Sequence, residues 1–418
     1  MNNQSRRPSR MEIMAPVGSY ESLAAAMQAG ADSVYFGIEG LNMRSGSANN
    51  FTIADLHNIA KICHENGLKS YLTVNTIMYD EDLDKMRSII DAAKEANISA
   101  IIAGDVAAMT YANRVGVEVH LSTQLNISNV EALKFYAQFA DVVVLARELN
   151  MDQVKTIHQA IVEQNITGPR GELIRIEMFA HGALCMAVSG KCYLSLHEYN
   201  RSANRGQCGQ VCRHAYTLKD KERDVELEVD NQYLMSPKDL KTIHFLNKLI
   251  DSGVEVFKLE GRARGPEYVK TVVSCYREAI DAIADGTYDE EKIANWDERL
   301  STVFNRGFWD GYYLGQKLGE WSHRYGSVAK YHKVYCAKTV GYFSKLGVGD
   351  FLLEAQQLSV GEKILIIGPT TGVLELTVDE IQVDEKSVET AHKGDRFTIK
   401  VPAKVRPSDK IYRLVSNE

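Results

Sequence analysis

The chain has 418 residues, of which 45% are hydrophobic and 25% are charged, and its formal net charge is −7. These values are ordinary for a globular protein, and the charge excludes a surface that binds nucleic acid everywhere. The longest apolar runs, such as ISAIIAGDVAAM, are too short or too interrupted for a membrane span. The polar, basic start MNNQSRRPSR has no apolar segment behind it. We therefore expect a disordered tail over residues 1–10, no secretory signal and a cytoplasmic protein.

Short apolar runs alternate with amphipathic segments along most of the chain. Eight of these runs have strand character, at 12–16, 33–37, 70–74, 99–104, 117–122, 141–146, 174–180 and 254–261. Helix-like segments separate the first six runs, and several end in glycine, which is favoured just beyond a helix. This alternation predicts right-handed β-α-β units and a parallel sheet. Eight strands favour a closed (β/α)8 barrel of the TIM type over a doubly wound sheet.

The pattern changes near residues 322–333, after an aromatic, glycine-rich passage at 304–321. From there, short alternating segments are separated by turns, as in GPTTG. We predict a catalytic (β/α)8 domain over 11–325 and a small antiparallel β-barrel domain over 333–418, a class that often contacts RNA or a neighbouring domain. The C-terminal segment is also locally basic. A surface of this kind can steer a polyanion to one face, or it can simply be a solvated face.

Four of the seven cysteines fall within 28 residues, between the seventh and eighth predicted strands. They are Cys185, Cys192, Cys208 and Cys212. Four thiolates are the ligand count of a [4Fe-4S] cluster or of a structural zinc ion, and the loose spacing C-x6-C-x15-C-x3-C favours iron–sulfur. Polar flanking residues argue against four buried hydrophobic cysteines, and nothing else indicates a disulfide. Because barrels carry their chemistry on the loops after the strands, this insertion at about 181–240 lies where an active site is expected.

Polar residues at the ends of predicted strands are candidates for substrate contacts, although a structural salt bridge is an alternative for each. The candidates are Arg44, Asn75, His120, Gln124, Asn126, Arg147, Glu148, Glu177, His181, Lys258, Glu260 and Arg262. Side chains alternate across a strand, so Glu177 and His181 should share one side of their strand. By the same alternation, Lys258, Glu260 and Arg262 should share one side of theirs.

The stretch EMFAHGALCMAVSGKCYLS, at 177–195, resembles the signature of the collagenase-like proteins classed as peptidases of unassigned catalytic type. The resemblance extends to APVGSYESLAAAMQAGADSVYFG near the start, LEGRARGPEYV after the eighth strand and FNRGF before the C-terminal domain. It covers nearly the whole chain. Family members of this length that carry a C-terminal β domain look like prephenate-dependent tRNA hydroxylases, which form 5-hydroxyuridine at the wobble position without molecular oxygen. Shorter members act in the ubiquinone pathway, and longer members modify ribosomal RNA.

The resemblance implies a [4Fe-4S] cluster on the four cysteines, prephenate as co-substrate and tRNA as partner. We expect Glu177 and His181 to move protons, His181 being the better candidate near neutral pH. The groups expected to bind the small dicarboxylate are Arg44, Arg147, Arg262, Lys258 and Glu260. The residues expected to form one continuous positive face for tRNA, leading to the barrel mouth, are Arg201, Arg205, Arg213, Lys404, Arg406 and Lys410.

Three other functions stay open. A collagenase-like peptidase would need a nucleophile such as Cys185, activated by a base such as His181. A hydroxylase of ribosomal RNA, or of another substrate in the same family, would use the same machinery. A non-catalytic RNA-binding protein would keep the cysteines for a structural metal.

Overall fold

The computed structural model describes residues 11–46, 50–217 and 233–417, and also 219, 220, 222, 225 and 226. The tail expected at 1–10 lies outside these residues. In chain order, the elements before residue 330 are β1 (Glu12–Pro16), α1 (Tyr20–Gln28), β2 (Ser33–Phe36), α2 (Leu56–Glu65), β3 (Lys69–Val74), α3 (Leu83–Glu95), β4 (Ala100–Ala103), α4 (Val106–Val115), β5 (Val119–Leu121), α5 (Val130–Ala137), β6 (Val142–Val144), α6 (Met151–Glu163), β7 (Arg175–Gly182), α7 (Leu194–Tyr199), β8 (Lys219–Asp220), β9 (Val225–Glu226), β10 (Asp239–Lys241), α8 (Leu246–Asp251), β11 (Val254–Leu259), α9 (Pro266–Ala284), α10 (Glu290–Thr302) and β12 (Phe308–Trp309).

Eight parallel strands close into a barrel. Strands β1 to β7 pair in chain order, and β11 pairs in parallel with both β7 and β1. The predicted (β/α)8 barrel is confirmed. The strands are buried on both faces, which is why they read as continuous apolar runs. The larger buried cluster packs between strands and helices, and a smaller one that includes Met14, Tyr71 and Val256 fills the barrel interior.

The helices around the barrel begin and end at the residues that favour those positions. The Ser19 side chain accepts a hydrogen bond from the backbone N–H of Ser22 at the start of α1, and Asp105 caps α4 in the same way. Gly116 ends α4 with φ of 80°, a conformation that glycine adopts without steric cost. None of the described helices is both long and apolar enough to cross a membrane.

Strand β7 continues beyond the barrel and carries the cysteine-rich insertion. Its last residues pair antiparallel with β10, Gly182 opposite Leu240 and His181 opposite Lys241, and β12 adds in parallel to β10. The insertion therefore leaves and returns at the carboxyl-terminal end of the barrel.

The β7–β11 ladder also contains a bulge. Phe179 lies opposite Lys258, but the next pair is His181 with Leu259, so Ala180 is the extra residue.

The C-terminal part of the chain is an antiparallel β structure around its own core. Its strands are β13 (Tyr331–Phe343), β14 (Val348–Leu353), β15 (Gln357–Ser359), β16 (Lys363–Gly368), β17 (Gly372–Thr377), β18 (Ile381–Val383), β19 (Lys386–Val388), β20 (Thr390–His392), β21 (Arg396–Lys400) and β22 (Lys410–Ser416). Eight of them form one sheet in the order β17-β16-β22-β13-β14-β21-β18-β19, and β15 pairs with β20. The predicted antiparallel fold is confirmed, although no ladder between described residues joins β17 to β19 to close the sheet.

The C-terminal sheet packs against α1 and α9 of the barrel. Leu365, Ile367 and Val373 belong to the same buried cluster as the barrel helices. The Gln28 side chain donates to the Thr371 carbonyl (2.7 Å) and accepts from the Val373 N–H (3.0 Å). Gln28 is the last residue of α1, and helices in β-α units run back toward the start of the strands. This contact therefore lies at the end of the barrel opposite the cysteine insertion.

Candidate active site

A cavity of about 200 Å3 lies at the carboxyl-terminal ends of the barrel strands, where barrel enzymes carry their active sites. One wall is built by residues at or just beyond strand ends, including Tyr35, Thr73 and Phe179. The other wall is the insertion from Ala183 to Arg213. The cavity thus joins the barrel to the loop that carries the cysteines.

All four cysteines of the insertion line this cavity. Burial raises the pKa of the Cys212 thiol; Arg213 opposes the shift, while Cys185 and the other two thiols reinforce it. Burial would also raise the pKa of the Cys185 thiol, but the guanidinium groups of Arg147 and Arg44 outweigh it and lower that pKa. The four thiols therefore interact electrostatically with one another and with the arginines around them.

The number and type of these cysteines fit a metal group held by four thiolates, but the thiols are not yet arranged around a common centre. Among the described residues, no three Cys, His, Asp or Glu side chains already surround a point that could hold a metal ion. The four thiols nevertheless share one cavity, and Arg44, Arg147 and Arg213 supply positive charge beside Cys185. Cationic side chains stabilise bound thiolates, so these cysteines could hold a cluster if they drew together around it.

Arg44, Arg262 and Glu260 form a buried network on the barrel side of the cavity. Arg44 pairs with Glu260 at 2.9 Å, and the Tyr35 hydroxyl donates to the other Glu260 oxygen at 2.8 Å. Arg262 donates to the Thr73 hydroxyl at 3.0 Å. Burial would raise the pKa of Glu260, but Arg44 and Arg262 outweigh it and lower the pKa. Glu260 is therefore a carboxylate that fixes the orientation of Arg44.

Arg147 and Lys258 complete the predicted substrate-binding set, and both line the cavity. Arg147 donates to the Ser189 hydroxyl at 2.8 Å, and its guanidinium lies 5.2 Å from the centre of the Phe179 ring. Lys258 forms a buried ion pair with Glu177 at 2.7 Å. Glu177 is fully buried and does not line the cavity, which corrects its expected role in moving protons. It neutralises Lys258 from behind.

His181 lies outside the cavity, which is a second correction. The bulge at Ala180 pairs His181 with Leu259 and reverses the alternation that the sequence predicts for this strand. Its Nδ1 atom lies 3.3 Å from the hydroxyl of Tyr276 on α9, so the ring faces the surrounding helices. Burial, with a contribution from the charge of Lys241, lowers the pKa of His181 to about 3. The imidazole is therefore neutral at physiological pH and is not part of the cavity lining.

The three arginines expected to bind RNA near the cysteines have different environments. Arg201 is exposed. Arg205 forms an ion pair with Asp82 and stacks 4.1 Å from the centre of the Tyr79 ring. Arg213 is buried and bonds three neighbouring groups, the Leu184 carbonyl (2.6 Å), the Pro237 carbonyl (2.5 Å) and the Ser236 hydroxyl (3.0 Å). Arg213 is thus a cavity residue and not part of an exposed RNA-binding surface.

The basic residues of the C-terminal sheet lie away from the cavity. Lys404 and Lys410 are exposed, whereas Arg406 donates to the Thr371 hydroxyl at 3.0 Å. Thr371 contacts Gln28 at the opposite end of the barrel. The expected continuous positive face from this patch to the barrel mouth is therefore corrected, because docking of the sheet against α1 separates the two regions.

Several cavity residues escaped the sequence analysis. They are Tyr35, Thr73, Asp239, Arg264, Tyr268 and Arg306. A signal existed for two of them: Arg264 continues the alternation of Glu260 and Arg262, and Arg306 stands in the FNRGF motif. Asp239 carries no such signal, because it enters the site through β10, a strand that follows a long insertion.

Comparison with known proteins finds relatives that are named as a collagenase and relatives that are named as RNA hydroxylation proteins. Residues 18–323 match the model of peptidase family U32. A collagenase of Porphyromonas gingivalis is 69% identical over 407 residues, which cover 97% of this chain and 98% of the relative. The tRNA hydroxylation protein P1 of Bacillus subtilis is 37% identical over 322 residues, 74% of each chain. The 23S rRNA 5-hydroxycytidine synthase of Escherichia coli is 35% identical over 319 residues, 74% of this chain and 46% of the relative.

Proposed function

The chain belongs to peptidase family U32, and we propose that within this family it is an RNA-modifying hydroxylase. The proposed reaction forms 5-hydroxyuridine at the wobble position of tRNA without molecular oxygen, with prephenate as co-substrate and a [4Fe-4S] cluster as cofactor. The observation that carries the proposal is one cavity in which four cysteines face a surplus of arginines. Similarity to the tRNA hydroxylation protein of Bacillus subtilis supports the choice of tRNA.

Each group of residues has a defined role in this proposal. The four cysteines would hold the cluster, which supplies one-electron redox chemistry when bound. Arg44, Arg147 and Arg262 would bind the two carboxylates of prephenate, because a planar guanidinium donates two parallel hydrogen bonds to a carboxylate. Glu260 orients Arg44, and Lys258, which is paired with Glu177, places an ammonium donor on the same wall.

A peptidase is the second candidate, because the 69% identical relative is named a collagenase. Cysteine proteases need a general base within hydrogen-bonding reach of the thiol. The pairing considered for this chain, Cys185 with His181, is not formed, since His181 bonds Tyr276 outside the cavity. No histidine lines the cavity among the residues that the structure describes. The geometry therefore argues against a cysteine peptidase that uses a Cys–His pair in this cavity.

The deciding experiment is nucleoside mass spectrometry of tRNA from a strain that lacks the gene. We expect 5-hydroxyuridine to disappear and to return when the wild-type gene is restored. Unchanged tRNA with altered ribosomal RNA would instead support the ribosomal hydroxylase. Peptide cleavage that survives loss of the cluster would support the peptidase. A colourless anaerobic preparation that lacks the iron–sulfur absorbance at about 400 nm would instead support a structural metal, such as zinc, bound by the four cysteines.

Serine substitutions separate cofactor binding from folding. Cys192→Ser or Cys212→Ser should remove iron and tRNA hydroxylation while leaving the melting temperature of the metal-free protein unchanged, because both residues are only partly buried. The matched control is Cys63→Ser in the core of α2. It should keep the iron but lose about 1–3 kcal/mol of stability, the cost of burying an unpaired hydroxyl. Full iron content in the Cys192 and Cys212 variants would contradict the ligand assignment.

A further inference from the structure

A second group of arginines lines the cavity on the side of Arg213. Arg264 and Arg306 lie over the same ring, Phe304, at 3.4 Å and 5.0 Å from its centre. Arg213 and Arg306 are both buried, and the two guanidinium groups repel each other. This group takes no part in the network around Glu260 and Arg44 described above, although Arg264 lies within electrostatic range of Glu260.

Within the described part of the chain, one carboxylate lies within ion-pair distance of this group. Arg306 pairs with that carboxylate, Asp239, at 3.3 Å, and the described partners of the Arg213 guanidinium are carbonyl and hydroxyl oxygens. The Arg264 guanidinium has neither a carboxylate within ion-pair distance nor a hydrogen-bond partner in the part of the chain that the structure describes, although its backbone N–H donates to the Gly261 carbonyl at 2.8 Å. Burial and the charge of Arg306 lower the pKa of Arg264 to about 10. Among the described residues, the three guanidinium groups thus share one ion-paired carboxylate, Asp239, and a bound anion would relieve their repulsion.

The placement of Arg264 suits it to hold such an anion. Its guanidinium stacks on Phe304, which fixes the plane of the group while leaving the N–H donors at its edge free. Arg264 is half-buried and lines the cavity, and the buried Arg306 lines it as well. Guanidinium edges grip planar or tetrahedral oxyanions with paired hydrogen bonds.

We propose that Arg264, Arg306 and Arg213 form a second oxyanion subsite of the cavity, with Arg264 as the residue that contacts the ligand. The shared chemistry of its ligands is an oxyanion, either a phosphate of the RNA substrate or a carboxylate of the small co-substrate. The choice between these two sources rests on the proposed function, whereas the existence of the subsite does not.

Binding measurements on the full-length protein test the subsite. The variant is Arg264→Gln, and the matched control is Arg114→Gln, whose guanidinium stacks on Tyr111 at 4.7 Å outside the cavity. The probes are a single-stranded uridine pentanucleotide, titrated at several salt concentrations, and prephenate, titrated by calorimetry. Arg264→Gln should weaken binding of at least one probe about tenfold or more, the effect of losing a charge-assisted hydrogen bond. Arg114→Gln should change neither affinity.

The pattern across the probes identifies the source of the anion. Weaker RNA binding, with the slope of log affinity against log salt smaller by about 0.7, assigns the subsite to an RNA phosphate. Weaker prephenate binding alone assigns it to a carboxylate, and weakening of both probes shows that it accepts either. Unchanged affinities in Arg264→Gln, or a wild-type protein that binds neither probe, would overturn the proposal. These readouts are independent of whether 5-hydroxyuridine is formed, so the two proposals fail separately.

Discussion

Arg147 connects the cysteine insertion to the barrel wall through a single guanidinium group. It donates to the Ser189 hydroxyl at 2.8 Å and to the Ala183 carbonyl at 3.5 Å, and it lies over Phe179. Its positive charge also lowers the pKa of the Cys185 thiol. These contacts use the fork of the guanidinium as well as its charge, so a residue with charge alone cannot replace them.

Arg147→Lys should therefore impair turnover more than folding. Under the proposed function, we expect tRNA hydroxylation to fall about tenfold or more, because the lysine ammonium cannot bind a carboxylate and Ser189 in the same fixed geometry. The melting temperature should change little. The matched control is Arg170→Lys, a surface residue paired with Glu118, and it should retain full activity. Equal activity of both variants would show that the shape of the Arg147 side chain is irrelevant.

At the scale of single elements, the end of β7 is shaped by one glycine. Gly182 has φ of 106°, and a Cβ atom at this position would lie 2.4 Å from the Glu260 carbonyl. The close approach holds β7 against the residues that follow β11. Because Gly182 has no side chain, Glu260 can lie beside the start of the insertion.

Gly182→Ala should destabilise the protein more than Gly67→Ala does. Both residues have positive φ, but nothing lies within 4 Å of a Cβ atom at Gly67. Both variants pay the backbone strain, and only Gly182→Ala adds an overpacking cost of about 1–3 kcal/mol. The difference in the free energy of unfolding, measured with denaturant, reports this steric conflict directly. Equal losses in the two variants would mean that the contact relaxes without cost.

A charged cluster joins three strands at the opposite end of the barrel. Glu12 of β1 pairs with Arg175 of β7 (3.0 Å) and Lys69 of β3 (3.3 Å), and it accepts a hydrogen bond from Tyr71 (2.6 Å). Burial alone would raise the pKa of Glu12, but these partners outweigh it and lower the pKa from 4.5 to about 2. The carboxylate therefore stabilises the fold only while it is ionised.

The cluster predicts a specific acid sensitivity. Because the folded pKa of Glu12 lies below the unfolded value, its contribution is complete above about pH 4.5 and is lost as the pH falls toward 2. This contribution is at most about 3 kcal/mol. In Glu12→Gln, the free energy of unfolding should decline less between pH 5 and pH 2.5 than in the wild type. Parallel declines would show that other carboxylates account for the acid transition.

At the scale of the whole molecule, the basic patch of the C-terminal sheet and the cavity lie at opposite ends of the barrel. An RNA that contacts both must extend along the barrel, which a folded tRNA can do and a pentanucleotide cannot. Reversing Lys404 and Lys410 to Glu should weaken tRNA binding at low salt by about tenfold and leave pentanucleotide binding unchanged. Arg406 is left intact because it holds Thr371 and the turn at Asp409. Unchanged tRNA affinity would identify the patch as a solvated surface.

Features of the fold that follow from local sequence patterns could be predicted, whereas features that depend on packing between distant segments could not. The barrel could be predicted because each β-α unit repeats the same alternation, and the cysteines could be grouped because they fall in one loop. The orientation of His181 could not, since one bulged residue reverses the faces of the strand. The burial of Arg213 and the distance of Arg406 from the cavity could not be predicted either, because both depend on contacts with segments remote in sequence.

The way the insertion is tied at its base bears on how the protein matures. Pairing of β7 with β10 and the bonds from Arg213 to Leu184 and Pro237 fix both ends of the insertion, and none of these contacts involves a thiol. Under the proposed function, we therefore expect the chain to fold before a cluster is delivered. Cluster loading would then be a late step on a folded protein, and loss of the cluster would leave a folded protein that can be reloaded.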